Sequence, residues 1–270
     1  MKEILLKIKK DKIGLVSIIF LITLTLLSIF AFLSPYKVNG INMNDIFLSP
    51  TLKHPFGTDS LGRDYLTRIL YGARITILIG IVVGVVSTLL GTIVGSVSGY
   101  IGGKTDNIIM RILEILMSVP SFFILLALSV ILKSSLIEIL LVLSIFSWMG
   151  TARLIRGEVL KIKNMEYVQF AKLQGINAVK IIRKYIIRNI LNTIIVSGTM
   201  TAASAILTEA MLSFLGLGLK PPIASLGSML NAGEQNIMTY PYLVVFPSIF
   251  LILIILSFNF IGKAILRKEE

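Results

Sequence analysis

Long apolar segments alternate with short polar segments along almost the whole chain. A helix needs about 20 mainly apolar residues to cross the hydrocarbon of a bilayer, and six segments come close to that length: 13–33, 75–100, 108–132, 136–152, 191–217 and 242–262. One soluble core does not accommodate so many continuous apolar segments. The pattern therefore predicts an all-α integral membrane protein with six transmembrane helices.

Basic residues lie between the apolar segments in a distribution that predicts the orientation. Lys and Arg are frequent before residue 13, in 153–190 and after residue 262, and cytoplasmic segments carry such an excess. Because six spans put both termini on one side, we expect both termini in the cytoplasm. The loop 34–74 would then lie outside, although it also carries Lys and Arg that Asp residues balance only in part.

Composition argues against several other classes of protein. Hydrophobic residues make up 55% of the chain and charged residues 15%, with a net charge of +12. Basic residues scattered between apolar segments do not form the single soluble face that nucleic-acid binding requires. With no Cys and one His in the sequence, we expect no disulfide and no bound metal.

A membrane enzyme would need acid, base or metal-binding groups that converge at one membrane level. The ionisable candidates within the spans are Arg111 and Glu114 on the third span and Glu209 on the fifth, so they do not converge on one site. Gly103-Lys104-Thr105 imitates the end of a phosphate-binding loop, but Ser98 stands where that motif requires its first glycine. We therefore predict neither a catalytic residue nor an ATP site in this chain.

The first apolar segment indicates a retained anchor. It follows a basic tail, as in a signal peptide, but it exceeds the roughly 7–15 apolar residues of a signal peptide and no small-residue cleavage site follows it. We assign 1–74 to this anchor helix and an outer loop, and 75–270 to the transmembrane core. In the outer loop, we expect Asp64 or Ser60 to cap the next helix and His54 to be solvated.

The polar segment between the fourth and fifth predicted spans contains a candidate docking helix at about 164–175. Helical spacing of three, four and seven residues gives one face with the members Tyr167, Phe170, Ala171 and Gln174. Gly175 can take the positive φ at which helices commonly end. A face of aromatic and small side chains suits insertion into a groove on another protein. The alternative is a basic amphipathic helix on anionic lipid, which the polar Glu166 and Gln169 disfavour.

Glycines recur in the second predicted span, and they are Gly80, Gly84, Gly91, Gly95 and Gly99. Residues four apart share a helix face, and glycine on that face lets a neighbouring backbone approach closely. We therefore expect this face to pack against other helices rather than to take part in chemistry.

Polar side chains concentrate in the fifth predicted span, and the candidates for a translocation path or gate are Thr201, Ser204, Thr208, Glu209 and Ser213. Their hydroxyl groups either line a path or bond to carbonyls of their own helix, and the sequence leaves both open. A carboxyl group at membrane depth is costly and points to function. Because Glu209 lies near the far end of its span, a capped carboxylate at the membrane interface is the alternative.

Several short motifs resemble those of the permease subunits of ATP-binding-cassette importers. They are Gly57-Thr58-Asp59, Gly62-Arg63-Asp64, Gly72-Ala73-Arg74, the run 213–218 and the pair Phe246-Pro247. The resemblance covers nearly the whole chain and is to the second permease of the peptide and nickel uptake group. The family's cytoplasmic Glu-Ala-Ala signature corresponds to Gln169-Phe170-Ala171 here, with Gly175 retained.

This resemblance implies the type I importer permease fold and a multi-pass location in the cell membrane. The implied partners are a homologous permease in a heterodimer, two cytoplasmic ATPase subunits that bind ATP and Mg, and an extracytoplasmic substrate-binding protein. The chain itself would not be an enzyme. The resemblance assigns ATPase coupling to a segment whose members are Glu166, Tyr167, Gln169, Phe170, Ala171, Gln174 and Gly175.

The sequence leaves both the cargo and the energy source open. Peptides, nickel and metal chelates all fit a permease of this group, and the short N-terminus and outer loop resemble the nickel-type members. A membrane channel or an assembly scaffold that is not coupled to ATP is the alternative function, and it would not need a docking helix.

Overall fold

The computed structural model describes residues 10–131 and 135–266, and this part of the chain is mainly helical. We number the α-helices in chain order: α1 Lys12–Ile29, α2 Tyr65–Ile101, α3 Gly103–Ser118, α4 Ser121–Ile131, α5 Leu136–Ile162, α6 Glu166–Leu173, α7 Ala178–Ile181, α8 Leu191–Phe214, α9 Leu226–Glu234 and α10 Tyr242–Leu266. Short 3-10 turns at Phe30–Leu33 and Met43–Asp45 and a π turn at Ile182–Ile186 complete the helical elements. Within the described residues, β pairing is limited to an isolated bridge between Thr58 and Asp64.

Five helices are long and apolar enough to cross a membrane: α1 with its 3-10 extension, α2, α5, α8 and α10. The third predicted span differs, because it breaks into α3 and α4 with a bend of 71°. Pro120 explains the break, since proline lacks an N–H and disfavours the α conformation in the residue before it. Val119 is accordingly extended. Six crossings result if the bent pair is one span.

Some sequence-based expectations fall on residues outside the described part of the chain. They are the last residue of the third predicted span, Leu132, and the basic residues before residue 10 and after residue 266. The orientation proposed from charge therefore rests here on the basic residues of 153–190.

Asp64 starts α2, the longest helix. Its Oδ2 accepts hydrogen bonds from the N–H of Thr67 at 2.8 Å and from the Thr67 hydroxyl at 2.7 Å, which satisfies donors that a helix start leaves free. Of the two caps that the sequence allowed, Asp64 is the one observed. The 37 residues of α2 extend over about 55 Å, well beyond the hydrocarbon thickness of about 30 Å. Residue 74, where we divided the chain, lies inside this helix.

α2 forms the centre of the bundle and lies close to α5 and α8. A Cβ on Gly80 would lie 2.5 Å from Ile206 Cδ1 of α8, and a Cβ on Gly91 would lie 2.7 Å from Thr151 Cβ of α5. Each step of four residues advances about 40° around a helix, so the glycine row turns gradually and meets two neighbours. Gly80 and Gly84 face α8, whereas Gly91, Gly95 and Gly99 face α5.

Both ends of the described chain lie at the end of the bundle that contains α6. α5 leads into α6, and the end of α2 reaches the same level because Gly99 contacts Val159. The end of α10 packs beside the start of α8, and α1 begins next to it with Gly14 against Ala264. We call this end of the bundle the α6 end.

The opposite end of the bundle, which we call the cap end, is formed by residues 30–64 and 215–241. Its outer loop folds around Asp59, whose Oδ1 accepts hydrogen bonds from the backbone N–H groups of Leu61 at 2.9 Å and Arg63 at 3.1 Å. Side chains thus satisfy backbone groups of a loop whose only regular elements, among the described residues, are a 3-10 turn and an isolated bridge.

His54 is buried in the cap end, and the expectation that it is solvated was wrong. Its Nδ1 lies 2.9 Å from Asp64 Oδ1, and its ring lies 4.6 Å from that of Tyr36 between centroids. The cause is the second oxygen of Asp64, which capping of α2 leaves free for the imidazole. His54 therefore fixes the outer loop to the start of α2.

A proline within α10 leaves one carbonyl group without its helical donor, and a side chain of α2 donates a hydrogen bond to it. Pro247 has no N–H, so the Leu243 carbonyl four residues earlier lacks its usual helical donor. Tyr65 at the start of α2 donates its hydroxyl to that oxygen at 2.5 Å. The bond joins α2 to α10 and repairs the hydrogen bonding of α10 at the same time.

We expect Tyr65→Phe to lower the free energy of unfolding by about 1–3 kcal/mol, because it leaves the Leu243 carbonyl buried without a donor. Adding Pro247→Ala should recover most of the loss, since residue 247 then supplies a helical N–H. Thermal unfolding of the purified chain in detergent measures both changes. Tyr71→Phe is the control, because that ring lies against Arg74 instead. Equal losses in the single and the double variant would contradict this account.

Candidate functional site

α6 is a helix of two turns in the connection between α5 and α8, and Gly175 ends it with a φ of +73°. The N–H of Gly175 donates to the Lys172 carbonyl at 3.0 Å, and the N–H of Ile176 donates to the Ala171 carbonyl at 3.2 Å. Glycine takes this left-handed conformation at little cost, because it has no Cβ. The sharp stop turns the chain back toward the bundle.

One face of α6 is buried against the protein. Val168 and Ala171 are 2% and 3% exposed. They pack in a cluster with the α5 residues Ile155, Val159 and Ile162 and with Ile181, Ile186 and Ile190 in the connection to α8. We predicted Ala171 on the docking face, and it instead faces the bundle. The sequence signal that we missed is Val168, an apolar residue three positions before Ala171 and therefore on the same face.

The opposite face of α6 is apolar and exposed. Phe170 is 62% exposed and Leu173 86% exposed, and Met165 and Tyr167 are exposed beside them. We call these four residues the α6 surface. Leu173 and Met165 were not among the predicted residues, although both are apolar. A group of exposed apolar side chains at one end of a helical bundle marks an interaction site.

The polar residues of the segment shape the turns on either side of α6. Gln169 donates its side-chain amide to the Lys163 carbonyl at 2.9 Å, which holds the turn between α5 and α6. Asn189 donates to the Tyr167 hydroxyl at 2.9 Å, which orients a ring of the α6 surface. The remaining predicted residues, Glu166 and Gln174, are exposed at the two ends of the helix.

An ion pair fixes α5 to the corner between α2 and α3. Arg156 of α5 donates from Nε and Nη2 to the two carboxylate oxygens of Asp106, at 2.5 and 2.6 Å. Ser98 of α2 donates to the same carboxylate, and Lys163 donates its ammonium group to the Gly99 carbonyl at 2.8 Å. Two parallel bonds between a guanidinium and a carboxylate fix direction as well as distance. The end of α5 that leads into α6 is therefore held to the centre of the bundle.

The polar residues of α8 fall into two groups. Thr201, Ser204 and Thr208 lie on a side that is at least partly exposed. The Thr208 hydroxyl donates to the Ser204 carbonyl of its own helix at 2.9 Å, as Thr side chains within helices often do. Glu209 and Ser213 lie on a different side of α8 and are buried.

Glu209 links α8 to α9 within the bundle. It is 1% exposed, and its Oε1 accepts hydrogen bonds from the hydroxyls of Ser213 at 2.6 Å and Ser225 at 2.7 Å. Ser225 also caps the start of α9, where the helix dipole favours a negative group. This arrangement resembles the capped carboxylate that we weighed against a path-lining role.

Two family models match the chain. The model of the inner membrane component of binding-protein-dependent transport systems matches residues 91–269. The model of the N-terminal transmembrane domain of oligopeptide transport permease C matches residues 1–50. Together they cover α1 and most of the bundle, including α6.

The chain is similar to named transport proteins along nearly its whole length. It is 38% identical over 265 residues to the oligopeptide transport system permease protein OppC of Bacillus subtilis, covering 98% of this chain and 87% of that protein. It is 39% identical to the dipeptide transport system permease protein DppC of the same species, covering 96% and 82%. The glutathione transport system permease protein GsiD of Shigella flexneri is 35% identical, with 96% and 86% covered.

Similarity to a solved structure concerns the arrangement of the helices. The MetNI methionine ABC transporter, in an inward-facing conformation, matches with a TM-score of 0.56 at 18% identity, covering 72% of this chain and 93% of that chain. Similarity at this level of identity concerns the fold alone. It confirms the all-helical importer permease fold that the sequence predicted.

We expect Asp106→Asn and Arg156→Gln each to lower the free energy of unfolding by about 1–3 kcal/mol, because each leaves the other group without its ion-pair partner. The double variant should lose less than the sum, by about 1 kcal/mol, since the two groups are in contact. Unfolding of the four proteins in detergent measures this coupling. The exposed pair of Lys161 and Glu158 supplies a control cycle with an expected coupling below about 0.5 kcal/mol. Additive losses for Asp106 and Arg156 would argue against the direct contact.

Proposed function

The chain belongs to the family of inner membrane components of binding-protein-dependent transport systems, and from this membership we propose that it is the permease subunit of an importer that carries peptides. It is a multi-pass membrane protein, and its homologues are permease subunits rather than catalytic ones. The observation that carries the proposal is the match of nearly the whole chain to oligopeptide and dipeptide permeases.

The partners that we propose divide the work of transport. A homologous permease forms a heterodimer with this chain, and each subunit contributes half of the translocation path. Two cytoplasmic ATPase subunits bind ATP and Mg and hydrolyse the ATP. A substrate-binding protein outside the membrane delivers the cargo, in keeping with the name of the family.

In the proposed orientation the α6 end lies in the cytoplasm, together with both termini. The basic excess of residues 153–190 supports this orientation, because cytoplasmic segments of membrane proteins are enriched in Lys and Arg. The cap end then faces the substrate-binding protein, and the α6 surface faces the ATPase subunits.

We assign to α6 the role of the coupling helix. The exposed rings of Tyr167 and Phe170 would enter a groove on an ATPase subunit, as amphipathic helices do in other complexes. The buried Val168 and Ala171 hold α6 to α5 and to the segment that leads into α8. Movement of an ATPase subunit would therefore displace α6 together with both of these transmembrane helices.

Peptides are the cargo that we propose. The relatives described above are named for the transport of oligopeptides, dipeptides and glutathione, which is itself a peptide. The sequence also allowed nickel and metal chelates as cargo. These are supported only by the breadth of the importer group, not by the relatives described above. The proposal follows the relatives in preferring peptides.

We expect Phe170→Asp to reduce both copurification of the ATPase subunits and uptake of a labelled dipeptide by about tenfold or more, because a buried charge would replace the ring in the interface. Phe170 is 62% exposed before docking, so the chain itself should still fold. The control for copurification of the ATPase subunits is Ile41→Asp, which alters a side chain that is 58% exposed at the cap end, away from α6. Unchanged copurification would contradict the docking role of α6. Dipeptide uptake that does not depend on this chain would favour the scaffold alternative.

We expect Gly175→Val to raise the amount of ATP hydrolysed per peptide imported while the complex still assembles. A β-branched residue at a φ of +73° is strained, by roughly 1–2 kcal/mol, so the end of α6 should shift. A Cβ at this position would meet no atom within 4 Å, so a steric clash would not cause the effect. Gly175→Asn is the matched control, because Asn tolerates positive φ. Equal ATP use by the two variants would be evidence against this role of Gly175.

A further inference from the structure

A cavity of about 230 Å³ lies in the cap end, far from α6. Its walls come from the start of α2, the loop that follows α8, and α9. The polar side chains that line it are Arg63, Arg68, Ser213, Lys220, Ser228 and Asn231. One water molecule occupies about 30 Å³ in the liquid, so the cavity has room for a carboxylate and part of the residue that carries it.

The charges around the cavity favour an anion. Asp59 accepts a hydrogen bond from Arg63 Nε at 2.7 Å and lies 3.3 Å from Arg68 Nε, so one carboxylate serves two guanidinium groups. Lys220 adds a third positive charge in the cavity wall. Among the described residues, those that line the cavity include no acidic side chain. The charge of Arg68 is thus only partly balanced by the protein.

Arg68 has hydrogen-bonding capacity to spare. It is 9% exposed, and its Nη1 makes no hydrogen bond within the described residues. A buried polar group without a partner is costly, and the fork of donors on a guanidinium matches the two oxygens of a carboxylate. An anion in the cavity would supply an acceptor for the guanidinium group of Arg68.

Glu209 does not fill this role. It is not among the residues that line the cavity. Its Oε1 accepts hydrogen bonds from the hydroxyls of Ser213 and Ser225 at 2.6 and 2.7 Å, and its Oε2 is buried without a hydrogen bond within the described residues. Asn231 also uses its side-chain amide within the protein, on the Phe214 carbonyl at 2.6 Å. These bonds stiffen the wall and leave Arg68, Arg63 and Lys220 to recognise an anion.

We propose that this cavity binds the terminal carboxylate of a peptide as the peptide passes from the cap end toward the translocation path. The inference rests on the proposed peptide cargo. Arg68 holds the carboxylate through its guanidinium group, and the exposed Lys220 attracts it at longer range. A peptide whose terminus is amidated lacks the charge and binds weakly at this site.

The test uses the complete transporter in lipid nanodiscs without the substrate-binding protein, so that selection by that protein does not contribute. Calorimetry compares trialanine with trialanine amide. We expect the acid to bind about tenfold or more tightly than the amide, since one charged hydrogen-bonded contact is lost in the amide. Arg68→Gln should remove this difference and leave amide binding unchanged. Equal binding of acid and amide to the unaltered transporter, or no binding of either, would overturn the proposal.

Two further variants test whether misfolding or a general change in charge could explain the effect of Arg68→Gln. Arg74→Gln on the same helix is the control, because Arg74 bonds to the carbonyls of Ser28 and Ile29 instead, and it should keep the preference for the acid. Lys220→Gln alters an exposed side chain, so the fold should persist, and it should weaken acid binding about two- to fivefold. Loss of the acid preference in Arg74→Gln would overturn the assignment to the cavity, as would unchanged acid binding in Lys220→Gln.

The anion could instead be an acidic side chain of the substrate-binding protein, and a second measurement distinguishes this source. If Arg68→Gln leaves trialanine binding unchanged but weakens stimulation of ATP hydrolysis by the binding protein, the partner supplies the carboxylate and the cargo assignment is wrong. Failure of the proposed function has a different signature, because peptide uptake by cells would then be independent of this chain. Uptake that depends on the chain but not on Arg68 overturns only the present inference.

Discussion

Close packing of α2 against α5 and α8 is the contact on which the rest of the structure depends. Gly80 and Gly91 lack the Cβ atoms that would collide with Ile206 and Thr151, so the helix backbones approach and their side chains gain dispersion contacts. Lipid tails are as apolar as leucine, so packing of this kind, rather than exclusion from water, holds helices together in a bilayer. Because α5 continues into α6 and α8 follows it, the same packing also connects α6 to the centre of the bundle.

Each end of α2 is fastened by a carboxylate that has several donors. At the α6 end Asp106 pairs with Arg156, and at the cap end Asp59 pairs with Arg63 and Arg68. A buried charge is costly unless it is paired and hydrogen-bonded, and both carboxylates meet this requirement. The two ends differ on the basic side. Arg156 engages Asp106 with two nitrogens, whereas Arg68 keeps Nη1 without a partner in the described part of the chain. The ion pair at the α6 end is complete, and it is at the cap end that we propose binding of a further anion.

Apolar length and turn chemistry were sufficient to predict the helical bundle, to limit the cap of α2 to Asp64 or Ser60, and to predict the position of α6, whereas the orientation inferred from charge stays a prediction. Pro120 is also a sequence signal for the break in the third span. We missed it because we counted apolar residues over the whole span. His54, Ala171 and Glu209 were harder to predict, because the partner of each belongs to a different structural element: Asp64 at the start of α2 for His54, the α5 cluster for Ala171, and the start of α9 for Glu209. Helical spacing shows which residues share a face. It does not show which face meets the protein, and that depends on how the helices pack.

α8 connects the segment that contains α6 to the cavity of the cap end. It begins directly after Ile190, which belongs to the cluster around Val168, and it ends beside Ser213 in the cavity wall. Its 24 residues extend over about 36 Å, and packed helices tend to shift as whole elements. A displacement of α6 would therefore reach the cavity wall through α8. Arg68 belongs to α2, which packs closely against α8, so the guanidinium and the wall would move together.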